Sequence, residues 1–223
     1  MPIQQAAREL TINTPLGKDA LLLRAFRGEE QLSALFEFEL DLASENPSIQ
    51  YESIIGQNVT IAVTLADGSE RYWNGWINRF VQLQRDSSAA AYRATMAPWL
   101  WFLGQTTDCR IFQNKNVPDL IKQIFHENGY SDFALRLYGD FAPREYCVQY
   151  RESDLNFVSR LMEEEGIFYF FEHEKGKHTL VLGNDPSAFK TCPKQSKARY
   201  QGTAGGWKDD DVILEWAQER EFR

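Results

Sequence analysis

The sequence predicts a mainly β protein of the α+β class: an antiparallel β-barrel with a helix–strand–helix–hairpin insertion, leading into the start of a second barrel. In the N-terminal part, apolar and polar residues alternate with the period of two that is typical of strands. The middle changes to helical spacing, and a loop-rich stretch then ends in one more strand-like run. We therefore predict a first β-barrel over residues 1–108, an α+β insertion over 109–185, and a linker with the first strand of an incomplete barrel over 186–223.

Four runs of the N-terminal part are typical of antiparallel strands: LFEFELDL (35–42), NVTIAVTL (58–65), ERYWNGWINRFVQLQRD (70–86) and AAYRATMAPWLWFL (90–103). Asp67-Gly68, between the second and third runs, is a strong hairpin signal. The alternation slips at Asn74-Gly75, where we expect a β-bulge or kink. Strands of this length joined by turns predict a closed or nearly closed barrel.

Two helices are marked by the residues at their ends. The first has Asn116 as N-cap and stops at Gly129, and the second begins at Ser153 and stops at Gly166. Each has an apolar stripe at helical spacing. Residues 167–182 then have the pattern of a hairpin, with an aromatic strand, a turn and an aliphatic strand.

The composition favours a folded, acidic protein. The chain has 223 residues, a net charge of −8 and a pI near 5.0, and its longest charge runs, 163–165 and 209–211, are also acidic. Phosphate backbones repel such a chain, so nucleic acid is not an expected partner. No apolar run approaches the roughly 20 residues of a membrane span, so we expect no direct membrane contact. The start of the chain lacks the pattern of a secretory signal.

Reactive motifs are scarce. An odd number of widely spaced cysteines, Cys109, Cys147 and Cys192, favours reduced, mostly buried thiols over a disulfide framework. There is no C-x-x-C pair for a zinc knuckle and no G-x-S-x-G nucleophile elbow. The glycine-rich stretch at 202–206 does not open a helix as a phosphate loop does. We expect no metal and no cofactor.

The segment HEKGKH, which starts at His173, is close to the H-E-x-x-H zinc motif of metalloproteases. That motif needs two histidines four residues apart on one helix face. His173 and His178 are five apart, which is about 140° around a helix, and Gly176 between them favours a turn. We expect both histidines to be exposed and to lie opposite each other across a hairpin. His126, off the apolar stripe of its helix, is expected at the surface.

The acidic run Glu163, Glu164 and Glu165 occupies the last turn of the second helix, where the helix dipole disfavours negative charge. Arg160 can meet Glu164 at i+4, in the less favourable order. Catalysis by a carboxylate pair needs the two groups about 5–10 Å apart across a cleft, and the sequence indicates no partner for that arrangement. A structural or interface role is favoured, and no catalytic residue is predicted.

Two other function classes remain as alternatives. Trp99, Trp101 and Phe102 could stack on a sugar, as in a carbohydrate-binding module, although aromatic residues at strand ends more often belong to a core. A cell-wall hydrolase would use Glu163–Glu165 together with His173.

Two longer segments resemble one known family. CRIFQNKNVPDLIKQIFHENG (109–129) resembles its C-R-x-F-Q segment and short helix, and VQYRESDLNFVSRLMEEEGIFYFFEHEKGKHTLVLGND (148–185) resembles its Y-x-E-S-D and R-L-M-E-E-E-G-I stretch. This is the VgrG family of type VI secretion spike proteins, related in fold to the tail-hub protein of contractile phages. The resemblance implies a structural signature made of Arg110, Phe112, Gln113, Glu152, Ser153, Asp154, Arg160, Glu163, Glu164, Glu165, Gly166, Ile167 and Tyr169.

What the resemblance implies is an assembly role without enzymatic activity. It implies a homotrimeric hub that acts as adaptor between the hexameric Hcp tube and a membrane-puncturing needle, for delivery of effectors into target cells. Baseplate components and effector or tip proteins would bind regions outside this chain. Assembly in the cytoplasm and export by the type VI machinery without a signal peptide are also implied. The chain departs from the family pattern by stopping before a second barrel is complete, and by placing Asp185 behind Gly183-Asn184.

Overall fold

A computed structural model describes residues 4, 5, 8–83, 89–192, 197–200, 212, 213 and 215–218. The chain separates into two compact units, Met1–Asp185 and Pro186–Arg223. The first unit opens with six strands: β1 (Leu10–Asn13), β2 (Leu22–Glu29), β3 (Glu37–Ser44), β4 (Asn58–Thr64), β5 (Glu70–Gln82) and β6 (Ala90–Ala97). They form one antiparallel sheet in the order β1-β4-β5-β6-β3-β2, curled into a half-barrel, which confirms the predicted mainly β, α+β fold class.

The remainder of the first unit contains both helices: β7 (Thr107–Lys115), α1 (Val117–Glu127), β8 (Phe133–Arg136), β9 (Arg144–Ser153), α2 (Asp154–Glu164), β10 (Phe168–Glu174) and β11 (Lys177–Gly183). β7 and β9 form a two-stranded antiparallel ribbon, while β11 pairs with β10 and, in parallel, with β8. The sequence predicts one strand between the helices, whereas the structure has two, because β9 is defined by its pairing with the distant β7. No helix among the described residues is long and apolar enough to cross a membrane.

Among the described residues of the second unit, two short strands, β12 (Arg199–Tyr200) and β13 (Val212–Ile213), pair in parallel. β13 lies in the run VILEWAQEREF that the sequence pattern predicts as a strand. The glycine-rich stretch at 202–206 and the acidic run at 209–211 lie outside the described residues.

The helix ends follow the predicted local chemistry. The Asn116 side chain accepts from the backbone N–H of Asp119 at 2.9 Å, and the Ser153 hydroxyl accepts from that of Asn156 at 3.2 Å, so each is an N-cap. Past the other ends, Gly129 and Gly166 take positive φ angles of 82° and 65°, which glycine adopts without steric cost.

Two large apolar cores and one small cluster, formed by Leu22, Ala43 and Ala89, fill the first unit. One lies inside the curled sheet and includes Leu40, Ile61 and Met96. The other lies between the two helices and the strands around them, with Phe125 and Phe157 near its centre. Phe171 of β10 packs against both cores, so the β10–β11 hairpin is where the half-barrel and the helical part join.

The bulge in β5 is displaced from the predicted position. It lies between Ile77 and Arg79, opposite β6, and not at Asn74-Gly75. Gly75 has a different purpose, since a Cβ there would lie 2.5 Å from Met96 Cγ. The glycine permits close approach of β6. A glycine needed for this reason interrupts the alternation of the strand in the same way as a bulge does, so the sequence pattern does not distinguish the two.

The run AAYRATMAPWLWFL is also not one strand. β6 ends at Ala97, and a 3-10 helix follows at Trp99–Gly104. Pro98 between them lacks an N–H and cannot continue the ladder.

The cysteine prediction is wrong in part, because Cys109 and Cys192 are exposed and only Cys147 is buried, although all three are free thiols.

Candidate functional site: two ionic networks around the second helix

Arg110 of β7 lies at the centre of a polar cluster on the inner side of the ribbon, hereafter the Arg110 network. Its guanidinium pairs with Asp154 at the start of α2. It also donates to Gln149 Oε1 of β9 at 2.8 Å and to Glu127 Oε2 at the end of α1 at 2.7 Å. Asp108 Oδ2 lies 3.3 Å from its Nε. One side chain therefore joins two strands to both helices.

Asp154 is only 4% exposed, and both of its carboxylate oxygens are occupied. Oδ1 accepts from Arg110 and from Gln149 Nε2, the latter at 2.7 Å. Oδ2 accepts from Asn128 Nδ2 at 2.9 Å and from Thr106 Oγ1 at 3.2 Å. The position at the N-terminus of α2 also favours the negative charge. A buried carboxylate with four donors holds elements together and has no oxygen directed at a substrate.

Glu164 and Glu165 of the acidic run belong to a second cluster, the Arg144–Arg160 network. Arg144 of β9 contacts Glu164 Oε2 at 2.5 Å and Glu165 Oε1 at 2.6 Å. Arg160 contacts Glu152 Oε1 at 2.7 Å and, as predicted, Glu164 Oε1 at 3.2 Å. The two arginines offset the unfavourable helix dipole at this end of α2. Sequence reasoning missed Arg144, because only the pairing of β9 with β7 places it beside the helix.

These contacts shift the pKa values of the network. The hydrogen bond from Arg144, followed by that from Arg160, lowers the pKa of Glu164. The Glu165 and Glu164 carboxylates raise the pKa of Arg144, and Glu152 raises that of Arg160. The lowered pKa of Glu164 and the raised pKa values of Arg144 and Arg160 favour the charged forms of these three groups, so each arginine attracts the Glu164 carboxylate.

The other signature residues complete the same region. The Phe112 ring stacks on Phe157 of α2, with centroids 5.7 Å apart. After Gly166, the backbone N–H of Ile167 returns to the Met162 carbonyl at 2.8 Å and closes the helix end. Tyr169 is buried, and this burial, with the nearby Glu163 charge, raises the pKa of Tyr169 to about 12.

Four residues of the signature are exposed: Gln113, Glu163, Glu164 and Gly166. Gln113 lies on β7 opposite Tyr146 of β9, on the outer side of the ribbon, away from the Arg110 network.

The prediction that His173 and His178 are exposed is wrong. They lie opposite each other across the hairpin, as expected, but His178 is 2% exposed and the side chain of His173 is 7% exposed. The hairpin packs against β5, where His178 Nδ1 bonds Asn74 Oδ1 at 2.9 Å. The packing partner is distant in sequence, so the local turn pattern could not indicate it. His126 is exposed, as predicted.

The structure removes Trp99 from the sugar-stacking alternative. Trp99 is 2% exposed, stacks on Tyr130 with centroids 4.6 Å apart, and belongs to the helical core, so it offers no sugar platform. Within the described part of the chain, no group of three His, Cys, Asp or Glu side chains is placed to hold a metal ion. The geometry supports rigidity of the α2 region.

Replacing Arg144 tests the second network. We expect Arg144→Gln to raise the pKa of Glu164, because Arg144 is the main cause of its depression. Because the pKa of Glu164 is lower in the folded protein than its ordinary value of 4.5, the ionised carboxylate stabilises the fold at pH values above 4.5. This stabilisation is lost as the pH falls through the folded pKa. NMR titration of the carboxyl carbons measures the shift. Arg93→Gln, which removes an exposed pair with Asp41, is the control, and equal Glu164 titration in both variants would contradict the assignment.

Comparison with known proteins defines the class. The family model described as "Phage tail baseplate hub (GPD)" matches residues 29–223, so the chain belongs to the phage tail baseplate hub family. Its relatives include the type VI secretion system spike protein VgrG1a of Pseudomonas aeruginosa, 41% identical over 219 residues, which are 98% of this chain and 34% of that protein. The actin cross-linking toxin VgrG1 of Vibrio cholerae is 31% identical over 207 residues, 89% of this chain and 19% of the toxin.

Solved structures agree with this class. The E. coli c3393 protein, described as a component of the type VI secretion system with similarity to phage T4 tail proteins gp27 and gp5, superposes with a TM-score of 0.67 at 28% identity, over 82% of this chain and 51% of that one. A prophage tail protein from Shewanella oneidensis shares the fold, with a TM-score of 0.55 at 13% identity over 88% and 57% of the two chains. The chain spans about a third of the spike proteins that it matches, and the predicted resemblance to this family is confirmed.

Proposed function

We propose that this chain is the N-terminal hub module of a type VI secretion spike, with a structural and not an enzymatic role. The Arg110 network is the observation that carries this proposal. Its charged groups bind one another and fix two helices to the ribbon. A part of the spike that transmits force requires such rigidity. Membership of the tail baseplate hub family and relatives named as spike proteins support the same role.

In the full-length protein, three copies of the chain would form a homotrimer. With two similar barrels in each copy, the trimer would present a pseudo-sixfold ring that fits the hexameric Hcp tube. The half-barrel would be the first of the two, within residues 1–108, residues 109–185 would be its insertion, and 186–223 would lead into the second. Baseplate components, effectors and tip proteins would bind elsewhere in the protein, and the type VI machinery would export the assembly from the cytoplasm.

Light scattering on the full-length protein, alone and mixed with purified Hcp rings, tests this proposal. We expect the mass of three copies, and a complex that elutes with Hcp. Hcp rings mixed with an unrelated trimeric protein serve as the control. A monomer that leaves the rings unbound would contradict the proposed role.

A further inference from the structure

Asn74 of β5 is fully buried, at 0% exposure, and its amide is held in one orientation. Its Nδ2 lies among three acceptors that share its two hydrogens: Val59 O at 3.0 Å, Thr60 Oγ1 at 2.9 Å and Asn58 Oδ1 at 2.7 Å. Oδ1 therefore faces His178 of β11, whose Nδ1 lies 2.9 Å away. Because Oδ1 only accepts, Nδ1 of His178 must carry a proton.

The second nitrogen of His178 must be unprotonated. Nε2 lies 3.0 Å from the backbone N–H of Trp99, which can only donate, so Nε2 accepts. The ring is enclosed by the Phe36 and Phe171 rings, with centroids 5.4 Å and 5.8 Å away. His178 thus fits its site only as one neutral tautomer, in which it connects β11, β5 and the 3-10 helix. Burial, followed by the charge of His173, lowers the pKa of His178 to about 3.

His173 of β10 has a different environment. Its Nδ1 lies 3.1 Å from both the N and the O of Asn74, so the neutral ring can accept from the N–H and the cation can donate to the carbonyl. Its Nε2 lies 3.0 Å from Glu30 Oε1. Burial alone would raise the pKa of Glu30, but the hydrogen bond and charge of His173, with Trp73 and Arg71, lower it. A proton on His173 is therefore balanced by a carboxylate, and a proton on His178 is not.

We propose that Asn74, His173 and His178 form a proton-operated joint between the half-barrel and the β10–β11 hairpin. The hairpin stays docked on β5 while His178 is neutral. A proton on His178 Nε2 would point at the Trp99 N–H, so two hydrogen-bond donors would face each other. The His173 ring centroid is also only 6.1 Å from that of His178. The charged His178 ring therefore has to leave its site. The hairpin then loses the hydrogen bond between His178 and Asn74, and its packing weakens where Phe171 joins the two cores.

The charged groups around the joint leave His178 without compensation. Glu30 is the one charged side chain within ion-pair distance of either ring among the described residues, and it contacts His173. On the hairpin itself, Glu172 pairs with Arg136 and Glu174 with Lys177. The β4 and 3-10 helix groups at the joint are neutral side chains or backbone.

The sign of the pH effect follows from proton binding. The undocked His178 takes up a proton near the ordinary histidine pKa of 6.5, and the docked one does not. Docking is therefore fully stable above that pH and weakens as the pH falls towards the folded value. With one proton linked to opening, the opening equilibrium constant rises by up to about tenfold for each pH unit.

Amide hydrogen exchange between pH 7.5 and 4.5, followed by NMR and corrected for intrinsic exchange, tests the joint. We expect protection of the Trp99 N–H and of the β10–β11 amides to fall below pH 6.5 by up to about tenfold per unit, while the α1 amides stay protected. The chain has 3 histidines, so each can be replaced singly. His178→Gln, whose amide oxygen can still accept from Trp99, should flatten the pH profile, and the exposed His126→Gln should keep it.

Several outcomes would overturn the proposal. One is Trp99 protection that stays constant to pH 4.5 in the wild-type protein, which needs no variant. Another is a parallel loss of protection in α1, because global acid unfolding would then explain the effect. If His178→Gln does not fold, the same experiment is done with His173→Gln. That variant should still lose protection as the pH falls, because His178 remains in place. A flat profile in His173→Gln would contradict the proposal, since His173 and not His178 would then cause the pH dependence.

Discussion

We expect Arg110→Ala to lower the free energy of unfolding by about 3–5 kcal/mol, the usual effect of removing one partner from a buried ion pair. Asp154, 4% exposed, would lose the guanidinium that it contacts in the wild-type protein. Gln149 and Glu127 would also lose their contacts with Arg110. Urea denaturation followed by tryptophan fluorescence measures the change.

Arg93→Ala is the matched control for this substitution. Arg93 also pairs with a carboxylate, Asp41 at 3.0 Å, but both side chains are about half exposed, at 44% and 50%. Exposed pairs contribute about 0–1 kcal/mol. Equal losses in the two variants would show that the burial of the Arg110 network has no special importance.

Phe157→Ala is expected to cost about 3–5 kcal/mol, because it removes a large ring from a closely packed core. The ring is 0% exposed, stacks on Phe112, and carries the Arg160 guanidinium 5.3 Å from its centroid. The truncation therefore leaves a cavity under the ribbon and loosens the second network at the same time. The same urea titration gives the free energy.

Tyr146→Ala serves as the control for Phe157→Ala. Tyr146 lies on the same ribbon but is 57% exposed on its outer side, so its truncation should stay within about 0.5 kcal/mol of wild type. A loss below about 1 kcal/mol for Phe157→Ala would mean that the helical core does not depend on this ring.

Features with a local cause could be predicted from the sequence. Asn116 and Ser153 cap helices because their side chains bond backbone groups three residues away. Gly68 and Gly176 permit turns through their own positive φ angles. The two hairpins and both helices therefore follow from short stretches of chain.

Features created by long-range contact could not be predicted in this way. Arg144 meets Glu164 only after β9 pairs with β7, and no residue near the acidic run indicates it. His178 is polar and adjoins a turn, which favours exposure, yet Asn74, distant in sequence, supplies the hydrogen bond that permits its burial. The sequence does contain the members of the Arg110 network, but their mutual contacts depend on the fold.

The most direct test of the central claim, that this chain is a structural part of a type VI spike, is secretion of the tube protein. Hcp is measured in the culture medium of a bacterium that lacks its sole gene for the full-length protein, complemented with wild type, Arg110→Ala or Arg93→Ala. We predict that wild type and Arg93→Ala restore Hcp release and that Arg110→Ala does not. Hcp release that is unaffected by deleting the gene would contradict the claim.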